Sequence, residues 1–88
     1  VIIHNVSDRR HGWIGSWEAE PLVYDALRIS NVGRTVIYRD HGRAEAGTLS
    51  SWRDGRVWVR FGRGVTTAAC EPRDLCLATR ALDGEKDR

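Results

Sequence analysis

Eighty-eight residues with a net charge of +2, 41% hydrophobic content and four Trp make one small folded domain rather than a disordered chain. A chain of this length buries only about 60% of its unfolded surface, which leaves no room for a cofactor domain beside a substrate domain. No run of about 18 apolar residues exists to cross a membrane, and no basic segment leads into an apolar core as in a secretion signal.

The chain contains no Met, which points to a removed start or a start inside a longer frame. Two cysteines, Cys70 and Cys76, are too few for a disulfide-stapled scaffold, and their spacing is not that of a zinc pair. Both are read as reduced thiols, although they straddle a short connector and could face one another. The expected location is the cytoplasm. The charge is uneven: residues 34–63 carry seven Arg against three carboxylates, a net +4, while each flank sums to −1. The basic residues are almost all Arg, whose planar fork suits carboxylate and phosphate recognition.

Along the chain, residues 1–17 are polar and interrupted by Gly12 and Gly15, which suggests coil or one short strand. Glu20-Pro21 then reads as a helix start. Leu22, Ala26 and Ile29 recur at helical spacing, so a short amphipathic helix is expected from Pro21 to about Ser30, ended by Asn31 and Gly33. Ten residues are marginal as an isolated helix, so its stripe must dock on something.

From Arg34 the pattern changes to strands, expected at 34–39, 47–52, 56–61, 65–69 and 75–79. Asp40-His41-Gly42 is a polar turn. Asp54-Gly55 is a two-residue hairpin turn, because both positions tolerate positive φ. Glu71-Pro72-Arg73-Asp74 is a tight 3₁₀-like connector before the last strand, and 80–88 reads as a charged, frayed tail. The expected fold is therefore mainly β: a five-stranded SH3-like small barrel over 32–79, preceded by a coil-and-helix extension over 1–31. Closing the sheet on itself leaves few free edges.

The runs Val32-Gly33-Arg34-Thr35-Val36-Ile37-Tyr38-Arg39, Glu45-Ala46-Gly47, Ser51-Trp52, Val57-Trp58-Val59-Arg60-Phe61 and Pro72-Arg73-Asp74-Leu75 resemble small proteins encoded by phages, prophages and other mobile elements. The resemblance covers about residues 32–77. It implies an SH3-like barrel and no particular activity.

With a two-residue turn at Asp54-Gly55, Arg53 pairs with Arg56, Trp52 with Val57, Ser51 with Trp58 and Leu49 with Arg60. Ser50, Trp52, Val57, Val59 and Phe61 then share the core face. Leu49, Ser51, Arg53, Arg56, Trp58 and Arg60 share the other. Val36, Tyr38, Val57, Val59 and Leu75 are expected to be buried together.

Arg53, Arg56, Trp58 and Arg60 form the candidate site, an aromatic among guanidiniums. It suits either a partner protein, from phage or host, or a nucleic acid whose bases stack and whose phosphates are contacted. The bland alternative is that the helix docks on Leu49 and Trp58 and covers this face. Trp13 and Trp17 either pack on the barrel or stay exposed as an anchor.

No catalytic residue, metal site or cofactor is expected. His4, His11 and His41 lie without a carboxylate or Cys at ligand spacing. Ser50 and Ser51 have no paired base, and Gly62-Arg63-Gly64 precedes no helix that would make it a phosphate loop. A remote third reading is an oligomeric plasmid-type reductase, which similar barrels form from four subunits; its pore motif is absent from Val65-Thr66-Thr67-Ala68-Ala69. The leading expectation is a non-enzymatic module acting by protein–protein interaction, with homo-oligomers compatible and membranes excluded. A nucleic-acid-associated barrel is the alternative, disfavoured by the low net charge.

Overall fold

Asp54 and Gly55 both take positive φ, 55° and 76°. They close a two-residue turn between β4 (Arg43–Arg53) and β5 (Arg56–Arg60). His41 and Gly42, at 47° and 78°, do the same between β3 (Thr35–Asp40) and β4. A third antiparallel strand pair adds β6 (Thr67–Cys70) to β5. The 3₁₀ turn Pro72–Asp74 then feeds β7 (Leu75–Lys86), which returns beside β3. This computed structural model describes residues 1–86, and side chains as far as Leu82.

The N-terminal third is not coil. It forms β1 (Ile2–Asp8) and β2 (Trp13–Pro21), an antiparallel hairpin whose second strand pairs with β7 over most of its length. β7 accordingly runs to Lys86 instead of ending at Thr79. The sheet order is β1-β2-β7-β3-β4-β5-β6. A short parallel pairing of Val6 with Ala44 and Ser7 with Glu45 brings β1 back against β4. Five strands thus close into a ring, and β5 and β6 extend from it to a free edge.

Two apolar clusters follow from this path. The first gathers Val36, Leu49, Val57, Val59, Cys70 and Leu75, with Tyr38, Trp52, Phe61 and Leu77 packed around them. The second gathers Ile3, Val6, Ala19, Ile37, Ala46 and Ala78, contributed by all five strands of the ring. On β3, Val36 belongs to the first cluster and Ile37 to the second, and both are fully buried. On β7, Leu75 and Leu77 face one way and Cys76 and Ala78 the other. β3, β4 and β7 are therefore a shared wall with buried residues on both faces, as the adjacent apolar pairs Val36-Ile37 and Leu75-Cys76 reflect.

The helix expected over Pro21–Ser30 is absent. Only two 3₁₀ turns, Tyr24–Ala26 and Ile29–Asn31, occupy that stretch. Ile29, one of the three stripe residues, is 88% exposed. The buried residues are Leu22 and Leu27, five apart, and both enter the first cluster. Main-chain bonds hold the segment to the sheet at each end: Leu22 N–H donates to Leu75 O (3.3 Å), and Gly33 N–H donates to Leu49 O (2.8 Å). Two anchored leucines and a stitched backbone outweigh the weak intrinsic preference of a ten-residue helix.

One register expectation also changes. Arg53–Arg56, Trp52–Val57 and Ser51–Trp58 pair as the turn dictates, but Leu49 meets Val59, and Thr48 meets Arg60. An irregularity at Ser50 takes up the extra residue. A bulge of this kind moves every residue beyond it to the other face. Leu49 is therefore fully buried in the first cluster instead of lying beside Trp58.

Candidate functional site

Alternation along β5 puts Val57 and Val59 inside, so Arg56, Trp58 and Arg60 project from the outer face. The register then decides their neighbours. Trp58 lies between Ser51 on β4 and Ala69 on β6, and Arg60 lies between Thr48 and Thr67. Small residues on both sides leave the Trp58 ring standing above the sheet, and it is half-buried. β6 is the last strand of the sheet, so this face continues to an open edge.

Arg53, exposed at the end of β4, places its guanidinium carbon 5.5 Å from the Trp58 ring centroid. A cation over an indole face is favoured by the ring quadrupole, by about 0.5–1 kcal/mol at an exposed site. Arg53 also has Asp54 near its Nε at 3.9 Å, a solvent-exposed ion pair of little energetic weight. Arg56 and Arg60 make no ion pair among the described residues. Ser51, Trp52, Arg53 and Trp58 line a shallow depression of about 350 Å³.

All four expected site residues thus meet on one face. Leu49 is missing from it, and no helix covers it, because the segment between β2 and β3 fills the inner cluster instead. Beside its inner contacts, that segment reaches the tip of the hairpin, where the Gly55 N–H donates to the Tyr24 hydroxyl (3.1 Å).

Trp13 and Trp17 do not form an anchor. They pack edge to face with centroids 5.8 Å apart, and Trp17 lies against the second cluster. Both cysteines are free thiols. Cys70 belongs to the first cluster and Cys76 packs on the second, so the shared wall keeps them from facing each other. Burial, and then the Asp74 carboxylate, push the Cys70 thiol above its ordinary pKa, away from nucleophilic use. His4 Nδ1 lies 3.0 Å from Ser16 Oγ, and His41 Nε2 lies 3.2 Å from Asp40. Among the described residues no three His, Cys, Asp or Glu are grouped as metal ligands, and no helix is long and apolar enough to cross a membrane.

The polar feature hardest to foresee is Asp8, 1% exposed at the end of β1. Its carboxylate is gripped by Arg10. The sequence signal was only a charged run, Asp8-Arg9-Arg10, which says nothing about burial.

No family model matches the chain, and neither a curated protein nor a solved structure matches it.

Proposed function

We propose that this chain is a non-enzymatic binding module of SH3-like barrel type, encoded by a phage or other mobile element, that engages an acidic segment of a partner protein. In this reading the SH3-like part is the sheet from β3 to β7 curled around the first cluster and open at the β6 edge, with the β1–β2 hairpin covering the opposite face of the shared wall. The contact surface is the outer face carrying Arg53, Arg56, Trp58 and Arg60.

The observation that carries this reading is the stacked Arg53–Trp58 pair with Arg56 and Arg60 beside it, neither in an ion pair among the described residues. Trp and Arg are the residues most often found at the energetic centre of protein interfaces. Acidic side chains complement the guanidiniums, and an apolar side chain fits the depression beside the ring. Arg53 occupies the approach to one indole face, which favours this reading over a base stacked on Trp58.

The test follows the Trp58 indole N–H resonance, assigned with Trp58→Phe. One titrant is a peptide alternating Glu and Leu; the other is an oligothymidylate, both at about 50 mM salt, where surface charges are least screened. Saturable shifts with the peptide, lost in Arg56→Ala and Arg60→Ala, are expected. Saturation by the oligonucleotide alone, with a steep salt dependence, would transfer the site to nucleic acid.

A further inference from the structure

β6 ends the sheet, with β5 on one side and no strand on the other among the described residues. In an antiparallel ladder alternate residues turn both their N–H and their C=O toward the same neighbour. Two of the four residues of β6 therefore direct their main-chain groups away from β5. Among the described residues no main-chain group of a turn or loop bonds to them. Natural edges are blunted by a charged side chain, a Pro or a bulge. Thr67-Ala68-Ala69-Cys70 has none of these, and its pairing with β5 runs without interruption.

The register fixes what lies on each side of this edge. Thr67 and Ala69 stand opposite Arg60 and Trp58 and share the outer face with them. Both are short. A strand laid along β6, about 10 Å from β5 at two strand spacings, has nothing tall between it and the Arg60 guanidinium, which makes no ion pair among the described residues. Ala68 and Cys70 stand opposite Val59 and Val57 on the inner face. Cys70 is buried in the first cluster, whereas Ala68 is exposed, so the apolar inner face runs out to the edge there. The edge thus suits opposite chemistry at successive positions, a carboxylate over the outer face and an apolar side chain over the inner one. The carboxylate nearest in sequence, Glu71, follows the strand, is exposed, and makes no ion pair among the described residues.

We infer that the acidic partner segment binds as an added strand along β6, with alternate carboxylates directed at Arg60 and apolar side chains beside Ala68. This rests on the acidic-segment reading above and adds how that segment lies. Main-chain bonds to β6 supply affinity, and the two faces select the side chains. A second copy of this chain would offer β6 itself, which carries no carboxylate to meet Arg60, so charge favours the acidic segment.

The experiment follows amide hydrogen exchange of the intact chain by NMR with three peptides. One alternates Glu and Leu, one has every Glu N-methylated, and one has every Leu N-methylated. In an extended peptide the two sets of N–H groups point to opposite edges, so only one set meets β6. Two amides within residues 67–70 should exchange more slowly once the parent peptide is added. One methylated peptide should lose at least about tenfold in affinity with its main-chain hydrogen bonds, and the other should bind like the parent. Ala68→Glu, on the face away from Trp58, should also weaken the parent peptide; the position is exposed, so the thermal midpoint should be retained. Parent binding that depends on Arg56 and Arg60 but is equal for both methylated peptides would overturn the added strand and leave the Trp58-face reading standing. Binding by none of the peptides would overturn both. Slow exchange at β6 without peptide, together with a dimeric chromatographic size, would give the edge to a second copy and overturn the inference.

Discussion

Arg10 holds both carboxylate oxygens of Asp8, with Nε on Oδ1 at 2.9 Å and Nη2 on Oδ2 at 2.7 Å. The Arg10 backbone N–H adds a third bond to Oδ1 at 3.1 Å. From the same side chain Nη1 donates to Thr48 Oγ1 (2.8 Å) and to Gly47 O (3.3 Å). One ion pair therefore ties the β1–β2 turn to the middle of β4. Arg63 Nε closes the arrangement from the far side by donating to Arg10 O (2.9 Å).

Asp8→Asn is expected to be among the most damaging single changes. It leaves the Arg10 guanidinium, itself largely buried, without its counter-charge. Removing one partner of a buried pair costs about 3–5 kcal/mol, and the residual exposure of Arg10 places this case at the lower end. Urea unfolding of the two proteins measures it. A loss below about 1 kcal/mol would mean the pair is open to water.

The same pair sets an acid limit on stability. Burial alone would raise the Asp8 pKa, but the hydrogen bonds and charge of Arg10 outweigh it and hold the group below its ordinary 3.8. A depressed folded-state value means the unfolded chain binds the proton more readily. The contribution is therefore complete above the ordinary carboxylate range and is lost as pH falls through the lower, folded value. Thermal midpoints measured downward from pH 6 should fall below about pH 4, and Asp8→Asn should flatten that slope. Equal slopes in the two proteins would assign the acid sensitivity to other carboxylates.

Gly47 is required for packing rather than for a special φ. A Cβ there would stand 2.6 Å from Val59 Cγ1, 2.9 Å from Phe61 Cδ1 and 3.0 Å from Arg60 O. Val59 is fully buried and the third contact is backbone, so neither gives way cheaply. Gly47→Ala should cost about 1–3 kcal/mol by overpacking, visible as a lowered thermal midpoint. An unchanged midpoint would show that β4 and β5 separate more easily than their pairing indicates.

A chain beginning at Asn31 is expected to lose its fold, although the sequence alone places the whole barrel at 32–79. Cutting there removes β1 and β2 and with them Ile3, Val6 and Ala19. Ile37, Ala46 and Ala78 on the shared wall would face water, and β7 would lose its longest pairing. Leu22 and Leu27 would also leave the first cluster. Circular dichroism and chromatographic size report the outcome, and a cooperative, monomeric truncated form would show that the first cluster suffices alone.

The strand content from Arg34 onward, the Asp54-Gly55 hairpin, the 3₁₀ connector and the burial of Val36, Val57, Val59 and Leu75 were legible in the residues, because each rests on chemistry within a few positions. Gly and Asp accept positive φ wherever they stand, Pro72 has a set φ, and alternation of Val with Arg can bury only one face. The outward projection of Arg56, Trp58 and Arg60 follows from the same alternation. What the sequence determined by itself is thus the local geometry of the meander and the composition of its outer face. Only the tertiary structure decided the rest. The spacing of Leu22, Ala26 and Ile29 is that of a helix, yet Leu22 and Leu27 gain more by filling the first cluster, and the chain gives up the helix to place them. Leu49 turns inward because the sheet absorbs one residue at Ser50. β1 and β2 look like coil until β7, more than fifty residues away, pairs with β2, β4 pairs with the end of β1, and the back of β3 and β4 needs covering. These outcomes depend on surfaces that come together only when distant strands pair, and a short window of sequence holds no record of them.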